Sequence, residues 1–204
     1  MGYGMSYLKQ FVDSMRFLER FDKNQKRQGL NYEEVFRGIE SNLLDKELQS
    51  FLDNNLGTAA DSFIRNSPGN LANLCHSVSQ QFYENWMSQK IGDIAPVAIT
   101  VGNVKYKDQE VYNVSKSSVK RIMAKGFCPD ESLDVHVWLT FSNMTVLDLT
   151  VIPTLVSKGL AGPTDFDDLR YVIWKEGDDS DFEYIPVLQH NNFMYAVDKI
   201  AGHA

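Results

Sequence analysis

The chain has 204 residues, of which 43% are hydrophobic and 23% charged, a balance typical of a globular protein with a sizeable core. The net charge of −7 excludes a general binder of nucleic acids or anionic membranes, because both attract basic proteins. The N-terminus has no apolar signal-peptide core, and no run of residues is apolar enough to span a bilayer. We therefore expect a cytoplasmic protein, with delivery by another route left open.

The first third of the chain, residues 1–66, is predicted to be helical. Apolar residues recur every three or four positions over 6–22, and Asn31 with Glu34 is typical of a capping box that opens a second helix. Leu48, Phe51 and Leu52 are expected to extend this helix or to form another, and a short helix is expected over 58–65. The apolar stripes contain Leu8, Phe11, Leu18, Ile39, Leu43, Leu44, Phe51 and Phe63. We expect these helices to pack on residues 67–204 within a single α+β domain.

A buried helix of four to five turns is predicted next. Its apolar face consists of Leu71, Leu74, Val78, Phe82 and Trp86. Asn70 or Asn73 is expected to cap its N-terminus. With Asn73 as the cap, Cys75 becomes the second residue of the helix.

Beyond Gly92 the apolar period changes to two, which indicates strands. Strands are expected over 97–101, 104–114, 133–141, 145–151, 169–174 and 182–188, with a turn at Lys107-Asp108 inside the second of these segments and helices over 117–125 and 153–160. Helices therefore come first, then one buried helix, then mostly antiparallel strands. This order predicts the α+β class.

The most regular strand pattern lies in residues 133–141. Leu133, Val135, Val137, Leu139 and Phe141 alternate with Asp134, His136, Trp138 and Thr140. This alternation predicts a half-buried strand with one face outside the core. A three-residue loop over 142–144 then places His136 and Asp148 on that same face of a hairpin.

Cys75, His136 and Asp148 together form a candidate catalytic triad. A thiol is a strong nucleophile only as a thiolate, and both a helix N-terminus and an imidazolium lower its pKa. His136 would take the thiol proton and later give a proton to the leaving group. Asp148 would hold the other nitrogen of the imidazole and so set its tautomer.

The same residues resemble a known group of enzymes, the transglutaminase-like branch of the papain-like cysteine peptidase superfamily. The similar segments are Cys75, His136-Val137-Trp138, Asp148-Leu149-Thr150, the strand-like 97–104 (VAITVGNV) typical of bacterial members, and Tyr184-Ile185-Pro186. The resemblance covers residues 68–188. It implies a papain-like fold, with a central Cys-bearing helix packed on an antiparallel sheet, and a hydrolase activity that needs no cofactor.

The chain departs from that pattern at the oxyanion-stabilising residue. No glutamine closely precedes Cys75, so Asn70, Asn73 or the Cys75 backbone N–H is left for this role. Trp138 is expected to shield one side of the site and is grouped with the substrate-binding candidates. Asp134 shares the His136 face and is an alternative residue to orient the imidazole.

Two other roles are consistent with these residue types. Zinc could be held by Cys75, His76, Cys128, His136 and His190, but the closely spaced ligand pairs of zinc sites are absent, so we expect no metal. Cys75 could also be a small buried hydrophobe, as most free cysteines are.

Two functional hypotheses follow. The first is a cysteine-dependent hydrolase or acyltransferase that attacks an amide or isopeptide bond of a protein, peptide or other amide substrate and forms a thioester. The choice between peptidase, amidase, deamidase and acyltransferase stays open, as does the oligomeric state. The second is a non-catalytic protein that binds a partner on the same scaffold, with Cys75 in its core.

Overall fold

The protein is described by a computed structural model that covers residues 6–21, 31–67, 69–112, 114–125 and 135–201. It is a mixed α+β structure with an antiparallel sheet. In chain order the elements are α1 (Tyr7–Phe21), α2 (Tyr32–Leu44), α3 (Lys46–Asn66), α4 (Cys75–Met87), α5 (Ile91–Ile94), β1 (Val97–Tyr106), β2 (Gln109–Glu110), α6 (Lys116–Lys125), β3 (His136–Phe141), β4 (Val146–Asp148), α7 (Val151–Ser157), β5 (Val172–Trp174), β6 (Phe182–Gln189) and α8 (Phe193–Ala201). Parts of the sequence analysis lie outside the described residues: the predicted loop over 127–132, Cys128 within it, and Asp134.

Strand β1 is the centre of the sheet. Strand β6 pairs with one of its edges, and β3 and β2 pair with the other. Strands β4 and β5 continue the sheet beyond β3, and every pairing is antiparallel. A glycine is needed at position 102, because a Cβ there would lie 2.2 Å from the Ile185 carbonyl oxygen and 2.6 Å from the Trp138 ring. This close approach lets the indole lie flat against the central strand.

The β3–β4 hairpin has the predicted register. Leu139 pairs with Leu147 and Thr140 with Val146, so residues whose numbers share parity lie on the same face. The connection is the expected three-residue loop, and Met144 closes it with a φ of 62° and an N–H bonded to the Phe141 carbonyl. His136 and Asp148 consequently lie on one face, as the alternation predicted.

The expectation of a half-buried strand is wrong, because all six residues of β3 are buried. Helix α4 covers the face of the odd-numbered residues and packs its Val78 and Phe82 there. Helix α1 covers the opposite face, where its Tyr7 and Phe11 join the core. The polar residues of β3 therefore point into a second interior layer and not into water.

The third N-terminal helix is longer than expected. Residues 46–66 form one continuous helix, separate from α2 and including the short helix expected over 58–65, and it buries Leu52, Leu56 and Ala60 in the core that contains α4. Asn31 caps α2 as predicted, its side chain accepting a hydrogen bond from the Glu33 N–H. The expectation that the stripe extends to Leu43 and Leu44 is wrong, since these residues are 44% and 83% exposed at the end of α2.

Two predicted strands end early. The predicted turn at Lys107 and Asp108 is confirmed, but the residues before it continue β1 to Tyr106 and only the two-residue β2 follows it. Strand β4 ends at Asp148 because this carboxylate accepts hydrogen bonds from the next N–H groups and bends the chain into α7. Helices α5 and α8 were not predicted. Among the described residues, no helix is both long and apolar enough to cross a membrane.

Candidate active site

The Asp148 carboxylate is held by five hydrogen bonds. Its Oδ2 lies 2.5 Å from His136 Nε2 and accepts a bond of 3.2 Å from the Tyr184 hydroxyl. Its Oδ1 accepts bonds from the backbone N–H and hydroxyl of Thr150 and from the Val151 N–H. Both His136 and Asp148 are completely buried. A carboxylate with this many donors is fixed in direction, and it fixes the imidazole in turn.

Cys75 is the first residue of α4 and is 4% exposed. Its sulfur lies 3.7 Å from the Val135 carbonyl oxygen, immediately before His136 begins β3. The helix packs on the odd-numbered face and the imidazole points to the even-numbered one, so the two meet around the first residue of the strand. The structure thus places the thiol beside the imidazole and the carboxylate on its far side.

The expected N-cap is wrong. Leu74 occupies the cap position and no side chain caps the helix, because Asn73 has a φ of 60°, in the left-handed region, and precedes the cap position. The Asn73 N–H instead donates to Thr154 Oγ1 of α7, at 3.1 Å. Cys75 is consequently the first and not the second helical residue. The first N–H groups of a helix have no acceptor within it, so the Cys75 N–H can stabilise an oxyanion.

The surroundings favour an ionised pair. Burial alone raises the pKa of the Cys75 thiol, but hydrogen bonding and charge from His136 and His76 outweigh it and lower the pKa from 9.0 to about 6. Burial lowers the pKa of His136, but the Asp148 charge and hydrogen bond, with a contribution from Cys75, raise it from 6.5 to about 10. Between these values the pair is a thiolate and an imidazolium.

The imidazole uses its two nitrogens differently. Nε2 faces Asp148, while Nδ1 is buried and has no hydrogen bond of standard geometry in the described part of the chain. The thiol makes its own contact with the Val135 carbonyl. Cys75 is nevertheless close enough to the ring for hydrogen bonding and charge to shift both pKa values, and Nδ1 is the nitrogen left for proton exchange with the sulfur.

Of the remaining candidates, Asn70 and Asn73 lie in the exposed loop before α4, and the Asn70 side chain accepts from the Ala72 N–H at 3.0 Å. Trp138 is fully buried, its ring centroid is 6.1 Å from that of His136, and its Nε1–H donates to the Tyr7 hydroxyl. The indole can therefore wall the site, but its polar hydrogen is already used within the protein.

Three residues next to the candidate triad were not predicted from the sequence to contact it. Tyr184 donates to Asp148, Tyr112 stacks on the His136 ring at 4.9 Å, and His76 helps to lower the pKa of the Cys75 thiol. Adjacency in the sequence was a signal for His76. The two tyrosines become neighbours of the triad only when β6 and the segment after β2 pack beside β3, and sequence spacing carries no sign of that.

Comparison with known protein families, with curated proteins and with solved structures found no match. The described residues also contain no group of three or more His, Cys, Asp or Glu side chains that could hold a metal ion.

Proposed function

We propose that the protein is a cysteine-dependent hydrolase or acyltransferase with a papain-like, transglutaminase-like arrangement, acting on an amide or isopeptide bond. The observation that carries the proposal is the buried hydrogen bond between His136 and Asp148, with the Cys75 sulfur 3.7 Å from the carbonyl of Val135, the residue before His136. The arrangement has the components that thiol catalysis needs: a nucleophile at a helix start, an imidazole, and a carboxylate to orient it.

The chemistry would run in two stages. The Cys75 thiolate attacks the carbonyl carbon and forms a C–S bond, and the Cys75 backbone N–H stabilises the oxyanion. The C–N bond then breaks, and the imidazolium of His136 gives its proton to the leaving amine. In the second stage neutral His136 removes a proton from water or from an acceptor amine, which attacks the thioester and restores the thiolate and the imidazolium.

Two features of the surroundings of Cys75 support this assignment over a structural role for the cysteine. An apolar environment alone raises a thiol pKa, whereas the hydrogen bonding and charge of His136 and His76 lower that of Cys75 to about 6. Leu74, the residue just before it, is 41% exposed, so Cys75 follows directly on an exposed position at the start of α4. The rival hypothesis, a partner-binding protein on the same scaffold, requires a thiol that is both neutral and unreactive.

Alkylation of the native protein by iodoacetamide, mapped by mass spectrometry, distinguishes the enzymatic proposal from the partner-binding hypothesis. We expect Cys75 to be alkylated at pH 7 faster than Cys128 and much faster than in the unfolded chain, where the thiol pKa is ordinary. His136→Ala is the matched variant, and it should abolish the excess rate. If Cys75 is modified only after denaturation, the enzymatic proposal is wrong and the partner-binding hypothesis gains.

A further inference from the structure

A cleft of about 510 Å³ lies beside the loop that leads into α4. It lies between the end of α3, the loop before α4, the start of α7 and the segment before β5. Arg65 lines it on one side and Arg170 on another, and apolar contacts come from Leu71, Ile152 and Leu169. None of the residues that line it is acidic.

The cleft is tied to the triad through both its walls. The Leu71 carbonyl accepts from the Leu74 N–H at 3.3 Å, so this wall is one turn ahead of Cys75. The opposite wall includes Ile152, directly after Val151, whose N–H donates to Asp148. A hydrogen bond from Asn73 to Thr154 joins the two walls. A molecule in the cleft would therefore lie next to the beginning of the Cys75 helix.

The charge of the cleft differs from that of the whole protein. The chain carries a net charge of −7, yet both arginines in the cleft are exposed, and in the described part of the chain neither has an acidic partner within 4.0 Å. Guanidinium groups bind carboxylates with paired hydrogen bonds. Leu169, which is 64% exposed at the same cleft, adds apolar surface for the remainder of a ligand.

We propose that this cleft is a substrate subsite for a carboxylate, bound by Arg65 and Arg170, and that the protein prefers amide substrates with an acidic group near the reacting carbonyl. This inference rests on the proposed function, because the cleft gains its meaning from the neighbouring thiol. The carboxylate can come from an acidic side chain or from a peptide C-terminus, since the two present the same chemistry to a guanidinium.

Binding of three short peptides to the Cys75→Ala protein tests the subsite without any need for turnover. The probes are N-acetyl-Ala-Glu-Ala-amide, N-acetyl-Ala-Gln-Ala with a free C-terminal carboxylate, and the neutral N-acetyl-Ala-Gln-Ala-amide. Dissociation constants come from NMR titration of the labelled protein. We expect at least one charged peptide to bind about tenfold more tightly than the neutral one, as charge-assisted hydrogen bonds would give. Which peptide does so identifies the source of the carboxylate.

Charge-removing variants assign the effect to the cleft. Arg65→Gln with Arg170→Gln should abolish the preference, and each single change should reduce it. Arg37→Gln removes the same charge from an exposed position paired with Glu33, and it should leave the preference intact. No preference in the parent protein, no binding of any peptide, or a preference that survives the double change would overturn the proposal. If Cys75 of the native, unsubstituted protein is not alkylated, that result counts against the proposed function and not against the subsite. The two failures are therefore distinguishable.

Discussion

The two faces of the sheet are both covered by helices, but they are built from different chemistry. Under α4 the strands present side chains such as Val137, Leu139 and Phe141, and the layer is held by apolar packing. Under α1 the same strand presents His136, Trp138 and Thr140, and this layer contains hydrogen-bonded groups as well as aromatic rings. The first layer can tolerate only shape-compatible apolar side chains, while the second depends on every polar partner being present.

The polar layer is satisfied by groups from distant parts of the chain. The Tyr7 hydroxyl accepts from Trp138 at 2.8 Å and contacts Thr140 at 2.7 Å, and Thr140 in turn contacts Thr100. The pKa of Tyr7 is raised by burial, so its hydroxyl stays neutral. The N-terminal helix thus supplies a partner for the strand that carries the candidate catalytic histidine. The His136 imidazole lies in this layer among hydrogen-bonded groups, whereas Cys75 packs with the apolar layer under α4.

The largest effect should come from removing the charge at the centre of the polar layer. Asp148→Asn takes away the charge that raises the pKa of His136, so the thiolate–imidazolium pair should revert to neutral groups. We expect a roughly 10³- to 10⁴-fold loss of amide hydrolysis, as for other triad carboxylates. Cys75 alkylation at pH 7 should fall with it.

Tyr184→Phe is the control for that change, because it removes a different hydrogen bond to the same carboxylate and leaves its charge. Its rate should fall less than tenfold, the effect of about one hydrogen bond. Equal losses in both variants would show that packing, and not the carboxylate charge, sets the reactivity.

The pH dependence should follow from the pKa of the thiol. A pKa lowered from 9.0 to about 6 keeps the reactive thiolate present at neutral pH and removes it as the pH falls through 6. At pH 7 this corresponds to about 90% thiolate instead of about 1%, so alkylation should be faster than for an ordinary thiol, by less than the ratio of thiolate fractions because nucleophilicity falls with the pKa.

Hydrolysis should also decline as the pH rises through about 10, where the imidazolium of His136 loses its proton. Rates of alkylation and hydrolysis measured between pH 5 and 11 check both limits. An alkylation midpoint near 9 would contradict the ionised pair.

A substitution on the apolar face should lower the stability of the protein without changing the reactivity of Cys75. Leu139→Ala removes a completely buried side chain, and we expect the free energy of unfolding to fall by about 2–5 kcal/mol. The rate of Cys75 alkylation in the folded protein should stay within about twofold, because no polar partner is lost. Leu44→Ala, at a position that is 83% exposed, should change stability by less than about 0.5 kcal/mol.

A smaller loss in the free energy of unfolding is expected for a substitution where α1 meets the polar layer. Tyr7→Phe leaves the Trp138 N–H buried without its acceptor, which costs about 1–3 kcal/mol. Chemical denaturation measures this, with Tyr195→Phe as a control at a hydroxyl bonded to Glu84 on the surface. An equal, small change in both variants would show that α1 is held by apolar contacts alone.

Local pattern in the sequence was enough to predict the hairpin, its loop and the shared face of His136 and Asp148. A strand alternates with a fixed period of two, and a three-residue loop fixes the register, so both can be counted along the chain. The mixed α+β class followed in the same way from the change of apolar period after Gly92.

Only the tertiary structure decided what covers each face. Alternation of apolar and polar residues does not distinguish a polar face in water from one buried under another helix, and here Tyr7 lies 133 positions from the threonine that it contacts. The predicted Asn73 cap of α4 failed for the same reason. Asn73 has a left-handed backbone conformation, and its N–H donates to Thr154 in α7, a contact between segments distant in sequence. The cleft arginines, Arg65 and Arg170, likewise become neighbours only through the packing of α3 beside the segment before β5. Contacts of this kind depend on how elements distant in sequence pack, and residue spacing does not record them.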